Sequence, residues 1–592
     1  MRKNKTIYIG MMLEDIDADF SKELVKSVIN SMPADKDIRL VILPGKYCND
    51  KANDVVRSYR MVHNHVFSLG EVCKFDGMII HLGSINRSVS ELLEDFLEKT
   101  PDRLPKVFIG SDAPDLITVN YDNASGITET VNYLINVCGL RRFCMLGGRD
   151  ENKDARIRKE IFAASLAENG IPFGETNFVN SDMTEECTDS AEKLLANNPG
   201  VEAIFCVNDA SAKALYKVMA ERELVPGEDI MVFGFDNTNM SGEMIPSLSS
   251  IGAYGTSLGQ RALDLLLSMI NGEEVSSETV GTRLYGRDSL PYEMYDYNVQ
   301  EMVNVEKQFI YRMFDDCFYR YKSDCRDREM IDLRRLFYEF ISRMLYAMKR
   351  RYMSVESYDE LCSLIDIFFE NGAVLYTDAS KLINSMKRLQ DSMNAKQRSP
   401  MASVRVNRLF LHMKDMALRA LSKELYEVRN ERINELCSFR DFTAASMGYC
   451  CTADESFERI LRSVEIFGIK NAAFYMYEKP FRYTGKSSSD LPLTAELKCV
   501  VRDGRTHIVS HQKQRCQMAD LFERIELPQK IKGYIVFPVF HMDMIYGLLL
   551  CDTDGDIYDK GEYIALQLGR AVFLNDMTKE KDNDTGEYGH SL

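Results

Sequence analysis

Short apolar runs rich in β-branched and aromatic residues alternate with longer amphipathic stretches through the first half of this chain. The runs are 6–10, 39–43, 77–80, 106–110, 143–146, 203–207 and 230–235. Because parallel strands are joined by crossovers that usually contain a helix, this alternation predicts doubly wound parallel sheets covered by helices. Such sheets bind ligands beyond the carboxyl ends of their strands, so polar residues that follow these runs are the first candidates for a site.

The pattern changes twice after this α/β half. Residues 291–440 show helical periodicity without a convincing strand, interrupted near Gly372 and Ser399-Pro400, and predict an all-helical linker or bundle. Residues 441–576 predict an α+β unit, with a helix at 456–467, an antiparallel sheet and a closing helix at 560–574. The polar tail, residues 577–592, is predicted to be disordered. The first domain is therefore predicted to span residues 1–290.

An apolar seam lies near the end of the helical segment. Leu418, Leu421, Leu425 and Val428 repeat at a spacing of three, four and three residues, which places them on one face of a helix. The seam fits either a helix of an intramolecular bundle or a coiled coil between two copies of the chain. We expect the protein to form a homodimer.

The charge and the apolar content of the sequence limit which partners and which cellular location are expected. The formal net charge is -17 and the pI is near 5.2, so the molecule as a whole repels a phosphate backbone. The basic start, Met1–Lys5, is followed by a short apolar run and then by Glu14 and Asp15, which is not the pattern of a secretory signal peptide. The sequence also has no apolar stretch long enough to cross a bilayer. These features predict a cytoplasmic protein with no membrane partner.

The fifteen cysteines are scattered through apolar contexts, as expected of reduced, buried thiols. One adjacent pair, Cys450-Cys451, lacks a second pair at zinc spacing. The sequence therefore predicts no metal site and no cofactor.

Six segments of the first half resemble, in order, motifs of the LacI/GalR repressors. They are 119–126 (V-N-Y-D-N-A-S-G), 139–148 (G-L-R-R-F-C-M-L-G-G), 155–162 (A-R-I-R-K-E-I-F), 207–209 (V-N-D), 225–238 (V-P-G-E-D-I-M-V-F-G-F-D-N-T) and 246–250 (P-S-L-S-S). The resemblance implies the type I periplasmic-binding-protein fold, in which two lobes close on a small-molecule effector. The repressors carry a helix-turn-helix before the first strand, whereas five residues precede it here. We therefore expect no direct DNA binding and a protein partner for the output. The element order of residues 441–576 is similar to that of GAF domains.

The candidate site residues follow the predicted strands. Asp236 follows the run at 230–235, and its carboxylate can accept hydrogen bonds from adjacent hydroxyls, which suits sugars and polyols. The resemblance implies that Asn208, Arg158 and Asp236 contact the effector. Asp209 either joins them or caps the helix that is predicted to start at Ala210.

The opposite lobe contributes residues that follow the first strand. Asp15 and Phe20 are the candidates there. Phe20 can stack on a ligand ring or can belong to the core, and both interpretations stay open at this point.

Two functions fit these observations. The first is a non-enzymatic regulator that senses a sugar or another polar metabolite and transmits lobe closure to an output, which the resemblance implies is transcription. The alternative is the sensory part of a GGDEF-type signalling protein, because a sensor, a helical linker and a GAF-like unit also resemble the front of those enzymes. The segment Gly147–Glu151 (G-G-R-D-E) superficially matches the GGDEF signature, but it follows a predicted strand and is expected to be a loop.

Overall fold

The computed structural model describes residues 6–46, 54–82, 104–111, 115–291, 304–321, 331–349, 354–395, 400–447, 462–482, 491–523, 531–553 and 557–587. The strands are β1 (Ile7–Glu14), β2 (Ile38–Gly45), β3 (Gly77–His81), β4 (Lys106–Ile109), β5 (Thr118–Tyr121), β6 (Phe143–Gly147), β7 (Phe178–Asn180), β8 (Ala203–Cys206), β9 (Met231–Phe235), β10 (Ser249–Ala253), β11 (Glu278–Val280), β12 (Thr282–Tyr285), β13 (Ala472–Arg482), β14 (Thr494–Arg502), β15 (Arg505–Ile508), β16 (Arg515–Gln517), β17 (Gly533–His541) and β18 (Met544–Asp552). The α-helices are α1 (Asp19–Asn30), α2 (Asp54–His63), α3 (Leu69–Val72), α4 (Asn123–Asn136), α5 (Lys153–Glu168), α6 (Thr188–Asn197), α7 (Asp209–Glu221), α8 (Asn239–Glu243), α9 (Leu258–Ile270), α10 (Lys307–Cys317), α11 (Leu333–Lys349), α12 (Val355–Glu370), α13 (Ala379–Ala395), α14 (Pro400–Met447), α15 (His511–Gln514) and α16 (Ile557–Glu587).

Two sheets divide the first half of the chain into two lobes. Lobe 1 contains the parallel strands in the order β11-β5-β4-β3-β1-β2, and lobe 2 contains β12-β10-β9-β8-β6-β7, in which only β12 is antiparallel. The central strands are almost entirely buried, because helices cover both faces of each sheet. The prediction of parallel sheets for this half is confirmed.

The chain crosses between the lobes three times: from β5 to α4, from β10 to α9, and from β11 to β12. The three crossings touch one another at Thr282, whose hydroxyl donates to the Asp122 carbonyl at 2.6 Å and accepts from the Gly126 amide at 3.2 Å. A Cβ at Gly126 would lie against Ile251 and Thr282, so only glycine fits at this junction. The crossings form the hinge between the lobes.

Helices α10 to α14 form a bundle with an aromatic core. Phe314, Phe340 and Phe368 are among its fully buried side chains. The last helix, α14, has 48 residues and is therefore about 70 Å long. It starts at Pro400, and proline is favoured in the first turn of a helix because its missing N–H would have no partner there.

The C-terminal strands form an antiparallel sheet that is joined to lobe 1. Its order is β17-β18-β13-β14-β15, with β16 also paired to β14. Strand β17 pairs in parallel with β2, with Tyr534 opposite Val41, so the two sheets form one continuous sheet of twelve strands. The similarity of this unit to GAF domains stays a prediction, but the unit does not stand apart from the first half of the chain.

Other differences from the sequence-based elements are local. The short strands β5, β7, β10, β11 and β12 were not among the predicted runs. Helix α16 continues to Glu587, so residues 577–587 are helical where a disordered tail was expected. Six of the twelve residues of the predicted helix at 456–467 lie outside the described residues, and the described part ends in a 3₁₀ helix, Val464–Phe467. Among the helices that the structure describes, none combines the length and apolar content needed to span a lipid bilayer.

Candidate functional site

A cavity of about 430 Å³ lies between the two lobes, beyond the carboxyl ends of β1, β8 and β9. Its size is within the usual range for small-molecule sites. The six residues singled out from the sequence all line it: Asp15, Phe20, Arg158, Asn208, Asp209 and Asp236. The structure therefore brings Asp15, which follows β1, and Asp236, which follows β9, to the same cavity.

Arg158 forms the floor of the cavity on the side of lobe 2. Its Nη1 donates to the Val207 carbonyl at 2.7 Å, and its Nε donates to Asn123 Oδ1 at 3.0 Å. Its Nη2 lies 3.4 Å from Asp236 Oδ1, and the guanidinium carbon lies 3.6 Å from the centre of the Phe235 ring. Arg158 is only 3% exposed. Most of its donors are used within the protein, so it orients Asp236 and leaves little of its fork for a ligand.

Asp236 presents the other carboxylate oxygen to the cavity. The residue directly follows β9 and has a φ of 97°, and its amide donates to the Ile251 carbonyl at 2.7 Å. Burial raises the pKa of Asp236, although the positive charge of Arg158 opposes this shift. Oδ2 accepts no hydrogen bond from the described residues, so it is positioned to accept one from a ligand hydroxyl.

Asn208 is the N-cap of α7. Its Oδ1 accepts from the Ser211 amide at 2.9 Å, and its Nδ2 donates to the Met183 carbonyl at 3.0 Å. The helix begins at Asp209 and not at Ala210 as predicted, so the capping residue is Asn208 and not Asp209. A cap can still contact a ligand through its second amide hydrogen.

Asp209 has a structural role in the cavity wall. It is 1% exposed and accepts from the Thr238 amide at 2.8 Å, from the Thr238 hydroxyl at 3.1 Å and from the Ser250 hydroxyl at 2.5 Å. These bonds tie α7 to the turn after β9 and to β10. Burial and the nearby charge of Asp236 raise the pKa of Asp209 to about 7, although its hydrogen-bond donors oppose the shift.

This raised pKa predicts a pH-dependent stability. Between about pH 4 and pH 7 the folded protein holds a proton on Asp209 that the unfolded chain has released, so the contribution of Asp209 to the free energy of unfolding falls as the pH rises through this window. At roughly 1.4 kcal/mol per pKa unit, the Asp209 contribution reaches at most about 4 kcal/mol. As the pH is raised from 5 to 7.5, we expect the free energy of unfolding of the wild type to decrease relative to that of Asp209→Asn, as measured by chemical denaturation.

The difference between the two proteins isolates the contribution of Asp209. Burial lowers the pKa of His63 and His81 to about 4 and of His65 to about 3, so these histidines make stability rise over part of the same window in both proteins. Parallel pH profiles for the wild type and Asp209→Asn would contradict the prediction.

Lobe 1 supplies the opposite wall. Asp15 follows β1 with a φ of 48°, and its amide donates to the Gly45 carbonyl at 2.9 Å. Phe20, on α1, is half-buried against the core of lobe 1, and its ring centre lies 5.3 Å from that of His81. One side of Phe20 packs against the core while another part lines the cavity, so its stacking on a ligand ring stays a prediction.

Sequence reasoning missed several residues of the cavity wall. Asp154 lies one helical turn before Arg158 and accepts from Asn123 Nδ2 at 3.0 Å, so Asn123 orients both residues. The four-residue spacing on one helix face was the signal for Asp154. Tyr121 and His81 also line the cavity, but the sequence offered no spacing that singled them out.

Two contacts across the cleft join the lobes at its rim. Lys153 Nζ donates to the Ser111 carbonyl at 2.7 Å, and the Asn239 amide donates to Glu23 Oε1 at 2.7 Å. In each case one partner belongs to lobe 1 and the other to lobe 2. In this structure the two lobes are therefore joined by hydrogen bonds across the opening of the cleft.

The charge of the lining favours neutral or cationic ligands over anions. Nine lining residues are Asp or Glu, and two are Arg. A phosphate or carboxylate ligand would meet net repulsion in this cavity. Among the described residues, no group of three or more His, Cys, Asp or Glu side chains is placed to hold a metal ion.

Part of the first half of the chain is similar to a known protein family. Residues 131–290 match the family described as "Periplasmic binding protein-like domain". This agrees with the fold expected from the LacI/GalR-like motifs.

Individual relatives match the first half. The "HTH-type transcriptional repressor PurR" of Photobacterium profundum is 28% identical over 202 residues, which are 33% of this chain and 58% of that protein. The "Ribose operon repressor" of Escherichia coli (strain K12) is 26% identical over 271 residues, or 46% of this chain and 77% of that protein. A solved structure, "transcriptional regulator CelR-cellobiose complex", covers 49% of this chain and 86% of its own, with 20% identity and a TM-score of 0.41.

Proposed function

We propose that the first half of the chain senses a neutral, hydroxyl-rich small molecule such as a sugar. The observation that carries this proposal is the free carboxylate oxygen of Asp236, held at the floor of the cleft by Arg158. A carboxylate oriented in this way accepts hydrogen bonds from adjacent hydroxyls, and Asn208 adds an amide at the same wall.

Removing the Asp236 carboxylate tests the proposal. A hydrogen bond to a charged group contributes about 1.5–3 kcal/mol. Asp236→Ala is therefore expected to weaken binding of whichever neutral sugar or polyol the wild type binds by roughly ten- to a hundredfold. The wild type is first screened by thermal shift against neutral mono- and disaccharides, with their phosphate esters as anionic counterparts, and hits are quantified by calorimetry.

The matched control is Asp229→Ala, because Asp229 is exposed and lies before β9, away from the cleft. Unchanged affinity in a folded Asp236→Ala protein would contradict the assignment. Preferential binding of the phosphate esters would contradict the choice of a neutral ligand.

We further propose that lobe closure moves the two other units of the chain relative to each other. Lobe 1 carries the C-terminal sheet through the β2–β17 pairing. At the same junction the Lys46 ammonium lies 3.0 Å from Asp17 Oδ1, at the cavity, and 2.8 Å from Glu562 Oε2, on α16. Lobe 1 and the C-terminal unit therefore move together.

Lobe 2 carries the helical bundle. Asn237, the residue after Asp236, accepts from Arg287 Nη2 at 2.7 Å, and Arg287 Nε lies 3.2 Å from Asp378 Oδ2 in the bundle. Arg320 of the bundle donates to the Asn239 carbonyl at 3.1 Å. A ligand bound at Asp236 is thus one residue away from the contact that holds the bundle.

Helix α14 connects these two attachments. Its first half packs in the bundle, and its end packs on the C-terminal unit, where Phe439 lies 4.6 Å from Tyr563 between ring centres. A ligand that prefers the closed cleft shifts the population toward one relative position of the two units. This relative movement is the signal that we propose the protein transmits.

The relatives named as transcriptional repressors support transcription as the output, and they favour a non-enzymatic regulator over the GGDEF-related alternative. The net charge of -17 supports a protein partner as the route to that output in place of direct contact with DNA. A shift assay with promoter and random DNA tests this part of the proposal, and sequence-selective binding by the purified chain would contradict it.

A further inference from the structure

An apolar stripe runs along the outer face of α14. Val404, Leu411, Leu418 and Leu425 follow one another at intervals of seven residues and are 52%, 69%, 56% and 72% exposed. Seven residues are close to two turns of an α-helix, so the four side chains form one line. Large apolar side chains in a continuous exposed line mark an interaction surface.

A second row accompanies the stripe in its lower part. Leu421 and Val428 stand three residues after Leu418 and Leu425, which gives the alternating three- and four-residue spacing of a coiled-coil seam. Val428 is 38% exposed, whereas Leu421 is half-buried against the bundle. Of the two interpretations of this seam, a helix buried in the bundle does not account for the exposed Leu418, Leu425 and Val428.

The fold of the single chain does not depend on the stripe. A different face of α14 packs in the bundle, where Val406, Leu409, Phe410 and Met413 are at most 3% exposed. The stripe ends where Arg432 takes the next position at seven-residue spacing, before Phe442 is buried against the C-terminal unit. The apolar line is therefore confined to the part of the helix that faces solvent.

The charges beside the stripe are complementary between two parallel copies. In the register that places Leu418 and Leu425 at position a, Glu424 is at g and Arg429 is at e. Glu424 and Arg429 take part in none of the ion pairs among the described residues, whereas their neighbours Lys423 and Glu427 pair with each other. Burial, Glu427 and Glu431 raise the pKa of Glu424, so a positive charge from outside would relieve this acidic cluster.

We propose that this face of α14 binds the same face of a second copy of the chain, as a parallel, in-register coiled coil. In that arrangement Glu424 lies opposite Arg429 of the partner subunit, because a g residue faces the e residue of the following heptad. The interface is isologous, with its two-fold axis parallel to α14. Each copy thereby brings its bundle and C-terminal unit alongside those of the other copy.

Leu425→Asp in the full chain is the first test. Two buried charges at an a position oppose pairing, so the dissociation constant of the dimer is expected to rise at least about tenfold in sedimentation experiments. Leu425 is 72% exposed in the single chain, so the variant is expected to fold with an unchanged circular dichroism spectrum. A monomeric wild type at micromolar concentration, or an unchanged dissociation constant in the variant, would overturn the proposal.

A charge exchange tests the parallel register. Glu424→Arg and Arg429→Glu each place like charges opposite one another and are expected to raise the dissociation constant, whereas the double variant restores the pair and lowers it again. Lys423→Glu is the control, because it reverses a charge at a position that faces away from the seam. Failure of the double variant to recover would show an antiparallel helix pair or another occupant, and would overturn the parallel dimer.

Discussion

Replacement of Asp378 by alanine is expected to loosen the helical bundle from lobe 2 and to destabilise that region by about 3–5 kcal/mol. The carboxylate pairs with Arg287, and the two side chains are 2% and 0% exposed. Removal of Asp378 leaves the guanidinium buried beside Tyr319 without its counter-charge, and an uncompensated buried charge is far more costly than a broken surface pair.

Asp378 has a second role that the design of the experiment separates from the first. Its Oδ1 accepts from the Lys381 amide at 2.7 Å at the start of α13, and loss of such a cap costs about 1 kcal/mol. Asp378→Asn keeps an acceptor for the cap but removes the charge. Because the ion pair with Arg287 is expected to contribute more than the helix cap, we expect Asp378→Asn to be destabilised almost as much as Asp378→Ala.

Hydrogen exchange measured by mass spectrometry suits this prediction, because a chain with several units need not unfold in one step. Peptides from α13 and from the segment around Arg287 are expected to exchange faster in both Asp378 variants. Glu339→Ala is the matched control, since it breaks an exposed ion pair with Arg343 on α11 and is expected to change stability by less than about 1 kcal/mol. Equal effects of Asp378→Ala and Glu339→Ala would contradict the importance of the buried pair.

The sequence predicted the strands of the first half of the chain well, because each long strand leaves a pattern in consecutive residues. Strands such as β1, β2 and β8 are buried on both faces, so they appear as continuous apolar runs. Short strands such as β11, with three residues, contain too few positions to show any pattern. The candidate site was also found locally, because residues that end parallel strands meet at one edge of a sheet.

The contacts between the units could not be predicted in the same way. The pairing of β2 with β17 joins segments almost five hundred positions apart through backbone hydrogen bonds. Because such bonds form between any two strands, the side chains of β2 and β17 did not show that these two strands are neighbours. Similarly, periodicity showed that Leu418 and Leu425 share a face of a helix, but not whether the same chain covers that face. The role of Asp209 depended on a shift of a single residue in the start of α7, within the ordinary uncertainty of helix ends.

Replacement of Arg158 by methionine is expected to abolish ligand binding and to destabilise lobe 2 by about 3–5 kcal/mol, since it leaves a buried carboxylate without its partner. Methionine fills much of the space beside Phe235, so the loss reflects the missing charge and hydrogen bonds more than a cavity. In the variant, Asn123 Oδ1 and the Val207 carbonyl lose their donors, and Asp236 loses the positive charge that opposes the rise of its pKa.

The effect on binding follows from the same contacts. With Arg158 absent, we expect Asp236 to take up a proton at a higher pH and to lose its fixed orientation, so its Oδ2 no longer meets the ligand as a charged acceptor. Arg158→Lys is not a conservative change, because one ammonium group on a flexible stem cannot replace three donors of a planar fork. Arg156→Met is the matched control, since Arg156 is exposed on the same helix. Calorimetry with the sugar or polyol found for the wild type, together with thermal unfolding, measures both effects. Binding retained within about tenfold by Arg158→Met would contradict the assignment of Arg158 as the residue that holds Asp236 in place.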